Sequence, residues 1–261
     1  MGVKALLLRF LDRVLGRAGV GDGGLTPQEE AIYNKGERLI PGITHDSREV
    51  TRHTSSYEFF RKVIETDLAL DDGLRIHGRV EIVDLGCGVG HGCLTLSGIP
   101  GSRITGVDVS PECIAYAKHR YGADNVAYRV CDLRAYVPEM PMFDYVVSRG
   151  ALEHLPNGLL LANGTRWRNR ILFDVPYNEP GEANPHHALT GITEDAFSIF
   201  PDAEFFYQDL DGIIYDALRK PAKPNMILCV CSRPDLPRVV AQGIPFPLPA
   251  WQSGPVTAEN R

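Results

Sequence analysis

The sequence predicts a doubly wound α/β fold, in which helices cover both faces of a mostly parallel sheet. From residue 79 onward, short apolar runs typical of buried strands alternate with segments of helical periodicity. A glycine-rich loop follows the first of these runs directly, where open α/β sheets bind their ligands. Pro111 and Gly122 stand at the start and the end of one helical segment, in the positions that each favours. These three observations support the same fold class.

Seven apolar runs are predicted strands, and three segments between them are predicted to hold helices. The strands are RVEIVDLG, RITGVDVS, NVAYRVCDL, FDYVVSRG, RILFDVPY, EFFYQDLDG and NMILCVCS. The helical segments are HGCLTLSGI, PECIAYAKHRYG and EHLPNGLLLANGT, and His154 is expected to open the last helix. A longer helix is predicted over residues 50–70, because apolar residues recur there at helical spacing. We therefore divide the chain into an N-terminal helix and arm (residues 1–78), a sheet domain (79–232) and a proline-rich C-terminal tail (233–261).

Composition disfavours several classes of protein. The 261 residues carry a formal net charge of -6, which argues against nucleic acid as the main partner. No run of about 18 apolar residues is present, so we expect no membrane-spanning helix. The six cysteines form no Cys-x-x-Cys pair, and several lie in apolar runs. We therefore expect buried free thiols in a reducing, cytoplasmic compartment.

The first 19 residues, MGVKALLLRFLDRVLGRAG, form a basic amphipathic pattern. Arg9 and Asp12 interrupt the apolar stretch, which excludes a secretory signal peptide. Such a helix can make weak contact with a membrane surface, or it can pack on its own domain or on a partner. The pattern leaves these alternatives open, and the oligomeric state is not fixed by the sequence.

The loop after the first strand, VDLGCGVGHG, contains glycines that permit tight turns and close approach of the backbone to a ligand. Its pattern is D-x-G-x-G-x-G, in which Asp84 precedes Gly86, Gly88 and Gly90. A dinucleotide fingerprint would read G-x-G-x-x-G, and neither of the first two glycines starts one. The spacing therefore argues against a nicotinamide-dependent oxidoreductase.

Two further aspartates end the next two predicted strands. Asp108 ends the second strand, and its two carboxylate oxygens could accept both hydroxyls of a ribose. Asp132 follows the third strand and precedes Leu133. Any one of these aspartates could merely cap a helix or a turn. Their order behind the glycine loop, each at the end of a strand, favours a ligand site.

With FDYVVSRGALEHLP after them, these elements resemble class I S-adenosylmethionine-dependent methyltransferases over roughly residues 57–176. The resemblance implies a Rossmann-like sheet of seven strands with an antiparallel last hairpin, an N-terminal helical lid, and S-adenosylmethionine as cofactor. It implies that the glycine loop cradles the methionine part of the cofactor, while Asp108 holds the ribose and Asp132 the adenine amino group. The implied cofactor-binding residues are Tyr57, Asp84, Gly86, Gly88, Gly90, Asp108, Val109, Asp132, Leu133 and Arg149.

The acceptor side of the site is predicted beyond the fourth and fifth strands. A hydroxyl acceptor needs a general base, and His186 or His187 in DVPYNEPGEANPHHALTGIT can serve at neutral pH. The same loop could equally be held by its own hydrogen bonds. Neighbouring histidines point in different directions, and beside Glu179 no further ligand has suitable spacing, so no metal is expected. The expected catalytic residues are His186, His187, Arg149 and His154.

The sequence therefore predicts methyl transfer to a small molecule, with a hydroxyl of a sugar, glycan or secondary metabolite favoured by the histidine pair. N-methylation of a small amine is the nearest alternative, and a non-catalytic scaffold that binds S-adenosylmethionine is another. Enzymes of this family that methylate adenines or amides carry N-P-P-Y or N-P-P-F after the fourth strand. Here that place reads SRGA, so a nucleic-acid base is not an expected acceptor.

Overall fold

An eight-stranded, mostly parallel sheet forms the centre of the protein, in a computed structural model that describes residues 26–33, 39–41, 47–74 and 78–239. The strand order is β3-β2-β1-β4-β5-β8-β6-β7. The first five strands pair in parallel, and the last three join the sheet in antiparallel fashion. The strands are β1 (Val80–Leu85), β2 (Ser102–Asp108), β3 (Val126–Val130), β4 (Phe143–Arg149), β5 (Trp167–Pro176), β6 (Glu204–Gln208), β7 (Ile214–Asp216) and β8 (Met226–Ser232).

Helices connect the parallel strands and cover the sheet, which confirms the predicted doubly wound class. The described α-helices are α1 (Pro27–Tyr33), α2 (Ser47–Leu70), α3 (His91–Ser97), α4 (Pro111–Arg120), α5 (Leu133–Glu139) and α6 (Gly158–Asn163). Ser110 caps α4 by accepting a hydrogen bond from the backbone N–H of Cys113, and Pro111 occupies the first turn. The helix over residues 50–70 is present as α2.

The sheet has eight strands rather than the seven that the resemblance implied. The additional strand, β7, has three residues and pairs antiparallel with β6 at the edge of the sheet. A tight turn precedes it, in which the N–H of Gly212 donates to the carbonyl of Asp209. A strand of this length is too short for an alternating apolar pattern, so the sequence gives no signal for it.

One local prediction on the helices was wrong, and one helix was missed. His154 does not open a helix: it ends a 3-10 turn (Leu152–His154), and α6 begins only at Gly158. Pro156 disfavours helical geometry at Leu155, which is extended, and this separates the two elements. Helix α5 was not predicted, because it has only seven residues and contains Pro138.

A buried ion pair fixes α2 against the sheet. Arg170 on β5 donates two hydrogen bonds to the Asp67 carboxylate, from Nε at 2.7 Å and from Nη2 at 2.8 Å. The hydroxyl of Tyr145 on β4 donates to the same carboxylate at 3.2 Å. Nη2 of Arg170 also reaches the carbonyl of Pro237 at 2.7 Å, so the described start of the C-terminal tail is tied to the same centre. The C-terminal end of α2 is thereby tied to β4 and β5, while residues 49–57 of the same helix line the two cavities.

The predicted amphipathic helix at residues 1–19 and the tail beyond residue 239 lie outside the described residues. The division of the chain into arm, sheet domain and tail therefore stays a prediction. In the part of the chain that the structure describes, no helix combines the length and apolar character that a membrane crossing requires. The six cysteines are free, and all except the half-buried Cys131 are buried, as predicted.

Candidate functional site

The carboxyl ends of β1, β2, β3 and β4 surround a cavity of about 390 Å³, here called the first cavity. It contains most of the residues that the sequence analysis assigned to the cofactor. Those that line it are Tyr57, Gly86, Gly88, Asp108, Val109, Asp132, Leu133 and Arg149, together with His154 and His186 from the predicted catalytic set. Asp84 and Gly90 do not line it, and neither does His187.

The glycine loop forms one wall of the first cavity, and two of its glycines have a positive φ that other residues rarely adopt. Gly86 has a φ of +78°, and a Cβ at this position would come within 2.2 Å of the Ala151 Cβ. Gly88 has a φ of +51°, and a Cβ there would meet nothing within 4 Å. The first glycine allows the loop to pack against the segment after β4. The second leaves open space beside the backbone, into which a ligand can come close.

Asp108 lies at the base of the glycine loop with both carboxylate oxygens on backbone donors. One oxygen accepts from the N–H of Gly88 at 3.0 Å and the other from the N–H of Ser110 at 2.8 Å. Each carboxylate oxygen has a further lone pair, so both can still accept a hydrogen bond from a ligand hydroxyl. The side chain is therefore held in a fixed orientation at the end of β2.

Asp84 lies behind the wall of the first cavity, where it is fully buried. The hydroxyl of Tyr57 contacts both of its carboxylate oxygens, at 3.1 and 3.3 Å, and the Cys93 thiol lies 3.2 Å from one of them. Burial raises the pKa of Asp84 to about 7. Tyr57 is a core aromatic on α2 that also lines the first cavity. Gly90 lies behind the same wall, where its carbonyl accepts a hydrogen bond from Tyr128.

The end of β3 lines the opposite side of the first cavity. Asp132 caps α5 by accepting from the N–H of Arg134 at 2.8 Å, and it also accepts from the Arg134 guanidinium. Val109 is 56% exposed and lines the cavity. Val109 and Leu133 give this part of the cavity the apolar surface that a flat aromatic ring requires.

A second cavity of about 390 Å³ adjoins the first beside Arg149 and Gly150. The two cavities share five lining residues, which are Leu39, His53, Arg149, Gly150 and His154. The rest of the second cavity comes from α2, from the turn after β4, and from the segments after β5, β6 and β7 up to the start of β8. Its further lining residues include Glu49, Arg52, Glu153, Tyr177, Asn178, Glu179, Asn184, His187, Leu210, Lys223 and Asn225.

Arg149 occupies the junction between the cavities as a buried cation. It is 8% exposed, and its Nε lies 3.7 Å from the Asp174 carboxylate. Asp174 is itself held by the N–H of Gly150 at 2.9 Å. Burial lowers the pKa of His53 and of His91, and the nearby Arg149 charge lowers both further, with His91 reaching about 4. Both imidazoles are therefore neutral near pH 7.

The structure separates the two adjacent histidines, as their alternate directions predict. His186 is exposed at the rim of the first cavity, and its carbonyl contacts Nδ1 of His154 at 3.0 Å. His187 lines the second cavity, where its Nδ1 is hydrogen-bonded to the Glu179 carboxylate. Asn184 contacts Nε2 of His187 at 3.1 Å. Of the two predicted bases, only His187 is held in place by a carboxylate.

Several residues around the second cavity were missed by sequence reasoning. Glu153 is buried and lies beside His154 and His187, although it was passed over within the fourth-strand motif. Arg52 and Glu49 on α2 form an ion pair at the far wall. The only available signal was the alternation of these charges with apolar residues on one helix, which is typical of any helix at a surface.

The chain segment that supplies most of the first cavity matches a known protein family. A family described as a methyltransferase domain matches residues 82–166. Malonyl-[acyl-carrier protein] O-methyltransferase of Acetivibrio thermocellus is 33% identical over 90 residues, which are 34% of this chain and 31% of that protein. Trans-aconitate 2-methyltransferase of Streptomyces avermitilis is 33% identical over 117 residues, which are 41% of this chain and 42% of that protein. The chain thus spans less than half the length of either relative.

Among solved structures, the N-terminal domain of EvdMO1 with S-adenosylhomocysteine bound has the same fold. It superimposes with a TM-score of 0.52 at 16% identity and covers 81% of this chain and 99% of that domain. At this identity the likeness extends to the fold alone.

Proposed function

We propose that this chain, which belongs to the class I S-adenosylmethionine-dependent methyltransferase family, transfers a methyl group from S-adenosylmethionine to a small molecule. The acceptor would occupy the second cavity, and the products would be the methylated acceptor and S-adenosylhomocysteine. The main support for the proposal is a pair of adjoining cavities of equal size. The glycine loop forms a wall of the first cavity, and the two cavities meet at a junction formed by Arg149, Gly150, His53 and His154.

The proposed cofactor position follows from the polar groups of the first cavity. The open space beside Gly88 would accept the methionine part, and the two oxygens of Asp108 would accept the ribose hydroxyls. Val109 and Leu133 would enclose the adenine ring, with Asp132 on its amino group. In this orientation the sulfonium points toward the junction with the second cavity.

Arg149 is the proposed partner of the cofactor carboxylate. A buried guanidinium is stabilised by anions, and Asp174 supplies only one contact at 3.7 Å. The methionine carboxylate would add a second anion from the cavity side and could bind the guanidinium in a bidentate manner. The carboxylate would then lie between two cations, the Arg149 guanidinium and the sulfonium, and would offset part of the positive charge of each.

Methyl transfer is an in-line displacement, so the acceptor atom must be held about 3–3.5 Å from the methyl carbon. A shared junction between two cavities provides this arrangement without a large conformational change. We favour an oxygen acceptor, since His53, His154 and His187 surround the passage and imidazoles suit the handling of a hydroxyl proton. His187, which Glu179 orients, is a better candidate for the acceptor side than the exposed His186.

The proposal is tested in two steps on the purified chain. Calorimetric titration with S-adenosylhomocysteine should show one site per chain, and reduced nicotinamide dinucleotide should give no heat. Methyl-labelled S-adenosylmethionine is then incubated with sugars, phenols, hydroxy acids and small amines, and labelled products are identified by mass spectrometry. Transfer to a hydroxyl supports the full proposal, and transfer only to amines would contradict the oxygen acceptor. Cofactor binding without transfer to any acceptor would favour a non-catalytic scaffold.

A further inference from the structure

Glu153, His154 and His187 bring a carboxylate and two imidazoles together at the edge of the second cavity. Each side chain offers one ligand atom, and these atoms all lie within 4.8 Å of one another. Glu153 is 2% exposed, and the two histidines are half-buried. His154 also lines the first cavity, so the group stands where the two cavities meet.

Both imidazoles are oriented by acceptors on their Nδ1 atoms. Nδ1 of His154 lies 3.0 Å from the carbonyl oxygen of His186, which can only accept, so this nitrogen carries the hydrogen. Nδ1 of His187 contacts the Glu179 carboxylate, which fixes the same tautomer when the ring is neutral. Histidines that ligate metals are oriented in this way by a carbonyl or a carboxylate, with the other nitrogen directed at the ion.

The two chain segments that supply the group are also tied together. The carbonyl oxygen of Glu153 accepts hydrogen bonds from the backbone N–H groups of Ala188 and Leu189, at 2.8 and 2.9 Å. The 3-10 turn after β4 and the loop after β5 therefore form one unit. A site assembled from them would not have to be ordered by the ion itself.

We propose that Glu153, His154 and His187 bind one divalent transition-metal ion and present it to the acceptor. Two imidazoles and one carboxylate suit Zn²⁺, Co²⁺, Mn²⁺ or Fe²⁺ better than Mg²⁺ or Ca²⁺, which prefer oxygen ligands. With bonds of about 2.0–2.2 Å, neighbouring ligand atoms stand roughly 3–3.5 Å apart, so the side chains must close inward on the ion. The Asn184 amide, 3.1 Å from Nε2 of His187, would turn aside.

This inference rests on the proposed function and deepens it. Three protein ligands leave open positions, and a hydroxyl bound there has a lowered pKa. The acceptor would lose its proton to water, and its oxygen would form the bond to the methyl carbon as the carbon–sulfur bond breaks. S-adenosylhomocysteine leaves neutral, and one proton is released per turnover. His187 then acts on the acceptor as a metal ligand rather than as the proton acceptor.

The test measures ion binding directly, in the absence of cofactor and acceptor. Tag-free chain is dialysed against a chelator and titrated with Zn²⁺ by calorimetry, and with Co²⁺ by visible absorption. We expect one ion per chain with micromolar or tighter affinity. Glu153→Gln and His187→Ala should each weaken binding at least about tenfold, and Glu179→Gln about tenfold through the loss of ring orientation. His186→Ala and His119→Ala, which remove a neighbouring and a distant imidazole, should bind normally.

Binding of S-adenosylhomocysteine by each variant serves as the check on folding and separates the two proposals. If the cofactor product binds but no ion does, the metal inference fails and the proposed function stands. If an ion binds but the cofactor product does not, the proposed function fails. The inference is also overturned if Glu153→Gln and His187→Ala bind the ion as tightly as the wild-type chain.

Discussion

The two cavities differ in how they are assembled from the chain. The first is lined mainly by residues between Gly86 and Leu155, at the ends of consecutive strands and within the 82–166 family match. The second takes residues 149–154 from that match, but most of its lining comes from residues 49–53 of α2 and from residues 176–187, 210 and 223–226, which fall outside the match. A cofactor site built from local motifs stays recognisable between relatives, whereas an acceptor site built from distant segments can vary independently. The acceptor therefore has to be inferred from the geometry of the second cavity.

The largest effect is expected at the ion pair that holds α2, and with it one wall of the second cavity. Replacing Arg170 by methionine leaves the Asp67 carboxylate buried beside only the Tyr145 hydroxyl. We expect the free energy of unfolding to fall by about 3–5 kcal/mol, measured by denaturant titration. The double variant Arg170→Met, Asp67→Leu should recover much of this loss. A single variant within about 1 kcal/mol of wild type would contradict the role of the pair.

His187→Ala is expected to lower turnover without changing the affinity for S-adenosylhomocysteine. Turnover should fall by about 100-fold or more, because the variant loses an imidazole that acts on the acceptor. Affinity for S-adenosylhomocysteine should stay within about twofold, since His187 does not line the first cavity. Rates come from the labelled-methyl assay and affinities from calorimetry, with the distant His119→Ala as control. Equal loss of affinity and turnover would show that the cavities are not separable.

Asp108→Asn tests the proposed ribose contact in the first cavity. The amide keeps the side-chain shape but removes the charge and one acceptor from the proposed ribose contact. We expect about 100-fold weaker binding of S-adenosylhomocysteine, on the scale of a lost charge-assisted hydrogen bond in a buried site. The exposed Asp124→Asn serves as the matched control. Near-native affinity in Asp108→Asn would remove this residue from the cofactor site.

The smallest effect concerns His91, which is half-buried in the wall of the first cavity with both ring nitrogens shielded from water. Burial lowers its pKa from 6.5 to about 4 in the folded chain, so between these values the unfolded chain binds the extra proton. This contribution to stability is complete above pH 6.5 and is lost as the pH falls toward 4. Asp84, with its pKa raised to about 7, acts in the opposite direction over much of this range.

The contribution of His91 to the pH dependence of stability is separated from that of Asp84 by comparing a His91 variant with the wild-type chain. From pH 7.5 to pH 4.5, His91→Phe should lose less stability than the wild-type chain, by on the order of 2 kcal/mol. Denaturant titration at the two pH values measures this difference. An identical loss in both proteins would show that His91 titrates normally, and so is accessible to water.

The same division explains what the sequence could predict. The positions of the first five strands along the chain, the glycine loop and Asp108 follow from short local patterns, because each strand end and the loop after it are contiguous in the chain. Arg170 and Asp67 are 103 residues apart, and no local pattern pairs them. Glu153 and His187 likewise meet only because Ala188 and Leu189 bond to the Glu153 carbonyl. His154 was misplaced because Pro156, two residues later, ends the turn in which it lies.

The proposed cofactor site is best tested by a crystal structure of the chain with saturating S-adenosylhomocysteine. We expect the ligand in the first cavity, with its ribose hydroxyls on Asp108, its sulfur at the junction beside Gly150, and the second cavity left open for an acceptor. A first cavity that stays empty at saturation, or a ligand that fills the second cavity instead, would contradict the proposed site.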